Sequence, residues 1–136
     1  MKGIDKAIYE LISTNAHVQA IMGVSKPEDV NVYPYNPDED TIIPSITFYE
    51  RNSDAYGGIP NCERATYKID IWTSSLEEST RMADAIDKML SVTNLTNDYA
   101  RICSFTLFTS NDAFESQTQI WHKSLTYKII AIELQL

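Results

Sequence analysis

The chain has 136 residues, 43% of them hydrophobic, and its 19 acidic side chains against 11 basic ones give a formal charge of -8. This size and hydrophobic content predict one domain, residues 1–136, with a core that buries about two-thirds of the surface of the unfolded chain. The acidic balance argues against nucleic-acid binding as a main function, because the basic field that supplies non-specific affinity for a polyanion is missing.

The beginning of the chain and its cysteines indicate a compartment. The first residues have a charged, helical pattern instead of a signal-peptide core, and no apolar run approaches the length of a membrane span. The two cysteines, Cys62 and Cys103, have neither the spacing of a CxxC pair nor that of a disulfide framework. We therefore expect a soluble, unexported protein with reduced thiols and no membrane contact.

Two short helices are predicted first. Apolar residues recur at helical spacing over the first three turns, at Ile4, Ala7, Ile8, Leu11 and Ile12. Asn15 is a suitable N-cap for a second helix, which Gly23 can end in a left-handed conformation.

The next region is predicted to be a loop that leads into a hairpin. Residues 24–44 contain four prolines and one short extended piece at 31–33, which fits an edge strand. Residues 45–50 are β-branched and aromatic and predict a strand. Residues 51–61 are predicted to form an unusually long hairpin tip, from which the chain returns as a strand at Ala65. Long tips in compact domains are often mobile or functional.

The stretch from Ala65 to Leu90 has the clearest local pattern. Alternation over 65–72 places Tyr67, Ile69 and Ile71 on one sheet face and Lys68, Asp70 and Trp72 on the other. Ser75 and Glu78 then form a capping box, which starts an amphipathic helix at Leu76.

The last third predicts two neighbouring strands. Residues 99–109 are strand-like, residues 110–118 are predicted to be the connecting loop, and a long strand follows over 120–134. The order of elements predicts an α+β fold: an antiparallel-rich sheet with a long hairpin, packed by an N-terminal helix and a central amphipathic helix.

Two segments are predicted to face partners, the hairpin tip and an acidic run in the proline-rich loop. Gly57 and Gly58 lack the spacing of a phosphate loop, so we interpret them as supplying backbone freedom. Tyr56 and Ile59 flank them, and either local packing or burial by an arriving partner accounts for such apolar groups. The acidic run is a solvated loop, a docking element for a basic patch, or a lining that repels a passing polyanion. The interface candidates are Asp38, Glu39, Asp40, Asp54, Tyr56, Gly57, Gly58 and Ile59.

The sequence contains little that indicates chemistry. Cys103 and His122 lie on strands that can be adjacent, which would suit a nucleophile and its base, yet neither stands in a nucleophile signature. His17 has no ligand-spaced partner for zinc. Trp72 and Trp121 are explained by core packing or by burial against another subunit. We expect no catalytic residues, metal or cofactor.

The pattern as a whole resembles the tail completion, or tail terminator, proteins of long-tailed bacteriophages and prophages. The resemblance extends over most of the chain and depends on the order and spacing of weak motifs. The matching pieces are the helix at 4–12, the strand opening Pro44-Ser45-Ile46-Thr47-Phe48, the Gly57-Gly58 tip, the strand 67–73, the helix with Ala83-Asp84-Ala85-Ile86, and the strand 121–127.

This resemblance implies a non-enzymatic assembly protein of the virion. Such subunits form a homo-oligomeric ring, expected to be a hexamer, that caps the tail tube and joins the tail to the head connector. The implied partners are other copies of the chain, the tail tube protein and the head connector or stopper, with DNA only passing through the lumen. Assembly would take place in the cytoplasm of the host bacterium. The alternatives are a head-completion or stopper protein, and an intracellular α+β enzyme or ligand-binding module that uses Cys103 and His122.

Overall fold

A computed structural model of the chain describes residues 3–34, 43–91 and 95–134. Asp38, Glu39 and Asp40 lie outside these ranges, and the prediction made for them stays a prediction. No helix in the described ranges is long and apolar enough to cross a membrane.

Three α-helices form as the patterns predict. They are α1, Gly3–Ser13; α2, Ala16–Met22; and α3, Leu76–Leu90. Asn15 caps α2 by accepting a hydrogen bond from the Val18 backbone N–H at 3.0 Å, and Gly23 ends it with φ of 72°. Ser75 accepts from the Glu78 N–H at 3.1 Å, which explains why α3 begins where the capping box predicts.

Six described strands form one sheet. They are β1, Val32–Pro34; β2, Ser45–Ala55; β3, Cys62–Thr73; β4, Leu95–Thr96; β5, Ala100–Glu115; and β6, Ile120–Glu133. Their order across the sheet is β1-β2-β3-β6-β5-β4, with β1 parallel to β2 and every other pair antiparallel. The predicted α+β class and antiparallel-rich sheet are confirmed, and the edge strand predicted at 31–33 forms at Val32–Pro34.

The hydrophobic core lies between one sheet face and the helices α1 and α3. Tyr67 of β3 and Tyr127 of β6 are direct neighbours in the ladder, and both side chains are buried. The Tyr67 hydroxyl donates to Asp5 of α1 at 2.6 Å, and the Tyr127 hydroxyl donates to Asp87 of α3 at 2.9 Å. One pair of neighbouring sheet residues is therefore hydrogen-bonded to both helices. Burial away from water raises the pKa of both phenols.

Both hairpins have shorter loops than predicted. β2 runs to Ala55 and β3 starts at Cys62, so only residues 56–61 turn, where a loop over 51–61 was predicted. Likewise β5 continues through the predicted loop 110–118 as far as Glu115. The reason is that the backbone hydrogen bonds between the strands continue beyond the buried region. In these exposed ends, the sequence no longer alternates between apolar and polar residues. The predicted adjacency of β5 and β6 is confirmed.

Candidate functional site

The β2–β3 hairpin tip is an exposed turn tied to the end of the sheet. The Tyr56 N–H donates to the Cys62 carbonyl at 3.1 Å, and the Glu133 N–H of β6 donates to the Asn61 carbonyl at 2.9 Å. Tyr56 is 39% exposed and Ile59 is 52% exposed. The tip thus presents two apolar side chains on an anchored turn.

Below the tip, Asp54 and Arg64 face each other across the ladder. The Arg64 guanidinium donates to the Asp54 carboxylate at 2.9 Å, and this hydrogen bond lowers the pKa of Asp54. Both side chains are well exposed, so the pair contributes little to stability, but it fixes the carboxylate predicted to face a partner. The structure therefore groups Asp54 with the tip residues at one end of the sheet.

The two glycines of the tip differ in a way that a pair of substitutions can test. Gly57 has φ of 60°, a left-handed conformation that disfavours any Cβ, whereas a Cβ on Gly58 meets nothing within 4 Å. We expect Gly57→Ala to destabilise the protein by about 1 kcal/mol and Gly58→Ala to be close to neutral. Thermal unfolding of the two variants measures the difference. Equal melting temperatures would contradict the assigned roles.

The β5–β6 side presents a second apolar surface, which was not predicted from the sequence. Leu107, Phe108 and Phe114 of β5 are 40%, 61% and 44% exposed. Lys128 lies 4.3 Å from the centre of the Phe108 ring, and Trp121 packs against Phe114 at 4.9 Å between ring centres. The only sequence signal was the aromatic content of a stretch that we interpreted as ending in a loop.

The sheet face opposite the helices holds a polar cluster. Asp70, only 3% exposed, pairs with His122 Nε2 at 2.9 Å, and the His122 ring stacks on Trp72 at 3.8 Å. The Trp72 indole N–H donates to Thr47 at 3.2 Å, and Lys68 lies 3.8 Å from Asp70. The cluster joins β2, β3 and β6, so Trp72 is packed and hydrogen-bonded within its own chain.

The structure does not bring Cys103 and His122 together. Their strands are neighbours, but His122 pairs with Ala113, whereas Cys103 is the bulged residue next to the pair Ser104 and Ile130. Ile130 lies eight positions after His122 on β6, which is about 26 Å along a strand. Cys103 and His122 therefore do not form a nucleophile and its base, a pairing for which the sequence has no signature, because the antiparallel register puts the two residues at opposite ends of the sheet.

The described ranges contain no group of three or more His, Cys, Asp or Glu side chains placed to hold a metal ion. His17 is exposed, as expected of a surface histidine. Both cysteines are free thiols, Cys62 buried and Cys103 half-buried. What the described surface offers is an anchored tip and an apolar strand edge, features suited to contact with other macromolecules.

Comparison with known proteins gives a likeness of fold. No family model matches the chain, and no curated protein matches it. Among solved structures, a chain from the virion of a native gene transfer agent particle superimposes with a TM-score of 0.65 and 14% sequence identity. The match covers 95% of this chain and 93% of that one. The two chains share a fold. At this identity the likeness extends to the arrangement of helices and strands, across nearly the whole of both chains.

Proposed function

We propose that this chain is a tail completion, or tail terminator, protein of a phage or phage-like particle. Copies of it form a closed ring, a hexamer, that caps the tail tube, stops its growth and joins the tail to the head connector. It acts without catalysis or a cofactor, and DNA only passes through the lumen. It is assembled in the bacterial cytoplasm and resides in the virion at the junction of head and tail.

The observation that carries this proposal is the fold shared with a virion chain. The likeness covers almost the entire length of both chains, so it does not depend on a local motif that recurs in unrelated proteins. A fold shared with a virion chain is consistent with the resemblance to tail completion proteins, which depends on sequence motifs. An assembly protein also accounts for a surface with two exposed apolar elements, at the tip and on β5.

Electron microscopy of particles made without this chain tests the role. We expect full heads that keep their DNA and tails that are overlong or unattached, because the tube lacks its stop and its joint. Heads that leak DNA, beside tails of normal length, would instead show a head-completion or stopper protein. Complete, infectious particles would contradict an assembly role of either kind and would favour the enzyme or binding-module alternative.

The tip offers a test of which surface meets a partner. We expect the double variant Tyr56→Ser, Ile59→Ser to fold and form rings normally, because both side chains are exposed, and to lose most head–tail joining. Infectious titre, scored beside thermal unfolding, measures this. Leu76→Ser is the matched control, since Leu76 is also exposed, at 42%, and lies at the start of α3. A normal titre from the double variant would remove the tip from the interface.

A further inference from the structure

In the part of the chain that the structure describes, the outer edge of β5 lacks a partner strand over most of its length. β4 pairs only with Arg101 and Ile102, so within the described ranges the backbone groups of residues 103–115 that point outward meet no strand. Proteins normally protect such an edge with charges, proline or a covering segment. Here residues 103–111 contain no charge, no proline and no glycine. An edge of this kind is suited to strand addition by a partner.

The opposite edge of the sheet is also open. β1 covers β2 only at residues 46–48, so the outer edge of β2 over residues 49–55 has no strand beside it in the described part of the chain. Among the residues that the structure describes, the sheet therefore has an open stretch on each of its two sides.

The two open edges lie at the same level of the sheet. Following the paired residues from β2 through β3 and β6 to β5 links the open positions 49–54 of β2 to the open positions 104–109 of β5. The linked rows are Glu50–Tyr67–Tyr127–Leu107, Asn52–Thr66–Lys128–Thr106 and Asp54–Arg64–Ile130–Ser104. β2 has a bulge at Arg51, and β5 has bulges at Cys103 and Phe108. The bulges at Arg51 and Phe108 lie on neighbouring rows, so both edges change twist at nearly the same level there.

The directions of the two edges match as well. Three antiparallel steps separate β2 from β5, so the two strands run in opposite directions. Rotation about an axis parallel to the strands preserves the direction of each strand and the position of each residue along the axis. Copies arranged head to tail around such an axis therefore bring β5 of one beside β2 of the next, antiparallel and with open stretches aligned.

We propose that a second copy of this chain occupies each edge: residues 104–109 of one copy pair with residues 49–54 of the next, and the sheets join into one continuous wall. This proposal rests on the proposed ring and names its interface. Pairing row by row keeps the faces in register, with Leu107 beside Glu50 of the next copy and Thr106 beside its Asn52. Leu107 and Phe108, exposed in the single chain, become covered.

A charge placed on one edge tests this interface. Leu107→Glu puts a carboxylate beside Glu50 of the next copy, and like charges directly opposite each other destabilise a strand pair. Leu76→Glu is the control, because Leu76 is 42% exposed against 40% for Leu107 and lies on neither edge. Sedimentation over a concentration series should show rings for the wild type and Leu76→Glu, and at least tenfold weaker association for Leu107→Glu. If Leu107→Glu lowers the melting temperature, Phe108→Glu replaces it, since Phe108 is 61% exposed.

Mixing two edge variants tests the head-to-tail arrangement. Ser53→Glu blocks the β2 edge at an exposed position and leaves β5 intact. Each variant alone should be monomeric. An equimolar mixture of Leu107→Glu with Ser53→Glu should give dimers, because the intact β2 edge of the first variant can pair with the intact β5 edge of the second. These dimers should grow no further, because both of their outer edges are blocked. Monomers only, or rings, from the mixture would overturn the edge pairing.

The outcomes separate this inference from the proposed function. Rings formed by Leu107→Glu as well as by the wild type would overturn the edge pairing and leave the ring standing. A wild-type chain that stays monomeric at every concentration, yet loses binding to purified tail tubes through Leu107→Glu, would assign the edge to the tube protein and overturn the second-copy occupant. A wild-type chain that stays monomeric and also fails to bind tubes would overturn the interface and the ring together.

Discussion

Replacing Phe48 with alanine is expected to lower the free energy of unfolding by about 3–5 kcal/mol, a large part of the stability of a domain this size. Phe48 lies on β2 with no exposed surface and belongs to the core that the sheet shares with α1 and α3. Its removal takes away apolar burial and leaves a cavity that close-packed neighbours fill only in part. Chemical denaturation of the purified protein measures the loss.

Phe108→Ala is the matched control, since it makes the same chemical change at a position that is 61% exposed. We expect it to alter the free energy of unfolding by less than about 1 kcal/mol, because an exposed side chain leaves no cavity. A destabilisation by Phe108→Ala equal to that by Phe48→Ala would mean that the core is not where the structure places it.

Replacing Tyr67 with phenylalanine is expected to cost about 1.5–3 kcal/mol, although the ring itself is kept. The Tyr67 hydroxyl donates to Asp5 at 2.6 Å, and Asp5 is only 8% exposed. Without the hydroxyl, a buried carboxyl group of α1 loses its donor and cannot easily recruit water in its place. Denaturant unfolding again measures the change.

Tyr127→Phe provides the comparison on the same rung of the sheet. Its partner Asp87 is half-buried, so water can replace the lost hydroxyl, and we expect a cost of only about 0.5–1.5 kcal/mol. We therefore expect Tyr67→Phe to lower the free energy of unfolding more than Tyr127→Phe does. The reverse order would contradict the assigned burial of the two carboxyl groups.

The parts of the fold that were predictable are those with a strong local signal. α3 begins and ends where the capping box and the apolar spacing place it, because the Ser75 hydroxyl binds an orphan N–H of the first turn. α2 ends at Gly23 for an equally local reason, a left-handed residue after the last turn. Such features depend on residues within a few positions of one another, and a single sequence contains them in full.

The parts that were missed depend on partners distant in sequence. Residues 51–55 and 110–115 are mostly polar and do not alternate, yet they are strands because each continues a ladder begun in the core. The Asp54–Arg64 and Asp112–Lys123 pairs, each at 2.9 Å, face across those ladders. Neither the pairing of β1 with β2 nor the distance between Cys103 and His122 follows from spacing along the chain, since both depend on the register of strands.

Of the two candidate surfaces, one has a local signal in the sequence and the other does not. The tip was identifiable because glycines between apolar residues have a local meaning, which the left-handed Gly57 bears out. The open edge of β5 could not be identified from the sequence, because whether a strand has a neighbour depends on the order of strands in the whole sheet. Exposure of Leu107 and Phe108 became visible only when the order of the strands was known.

A reconstruction of the head–tail junction of the assembled particle tests both the tail-terminator role and the pairing of the sheet edges. If this chain is a tail terminator, its fold should fit density as a closed ring between the last turn of the tube and the head connector, with β5 of each copy beside β2 of the next. Density for this fold elsewhere in the particle, or at the junction without a closed ring, would contradict the account.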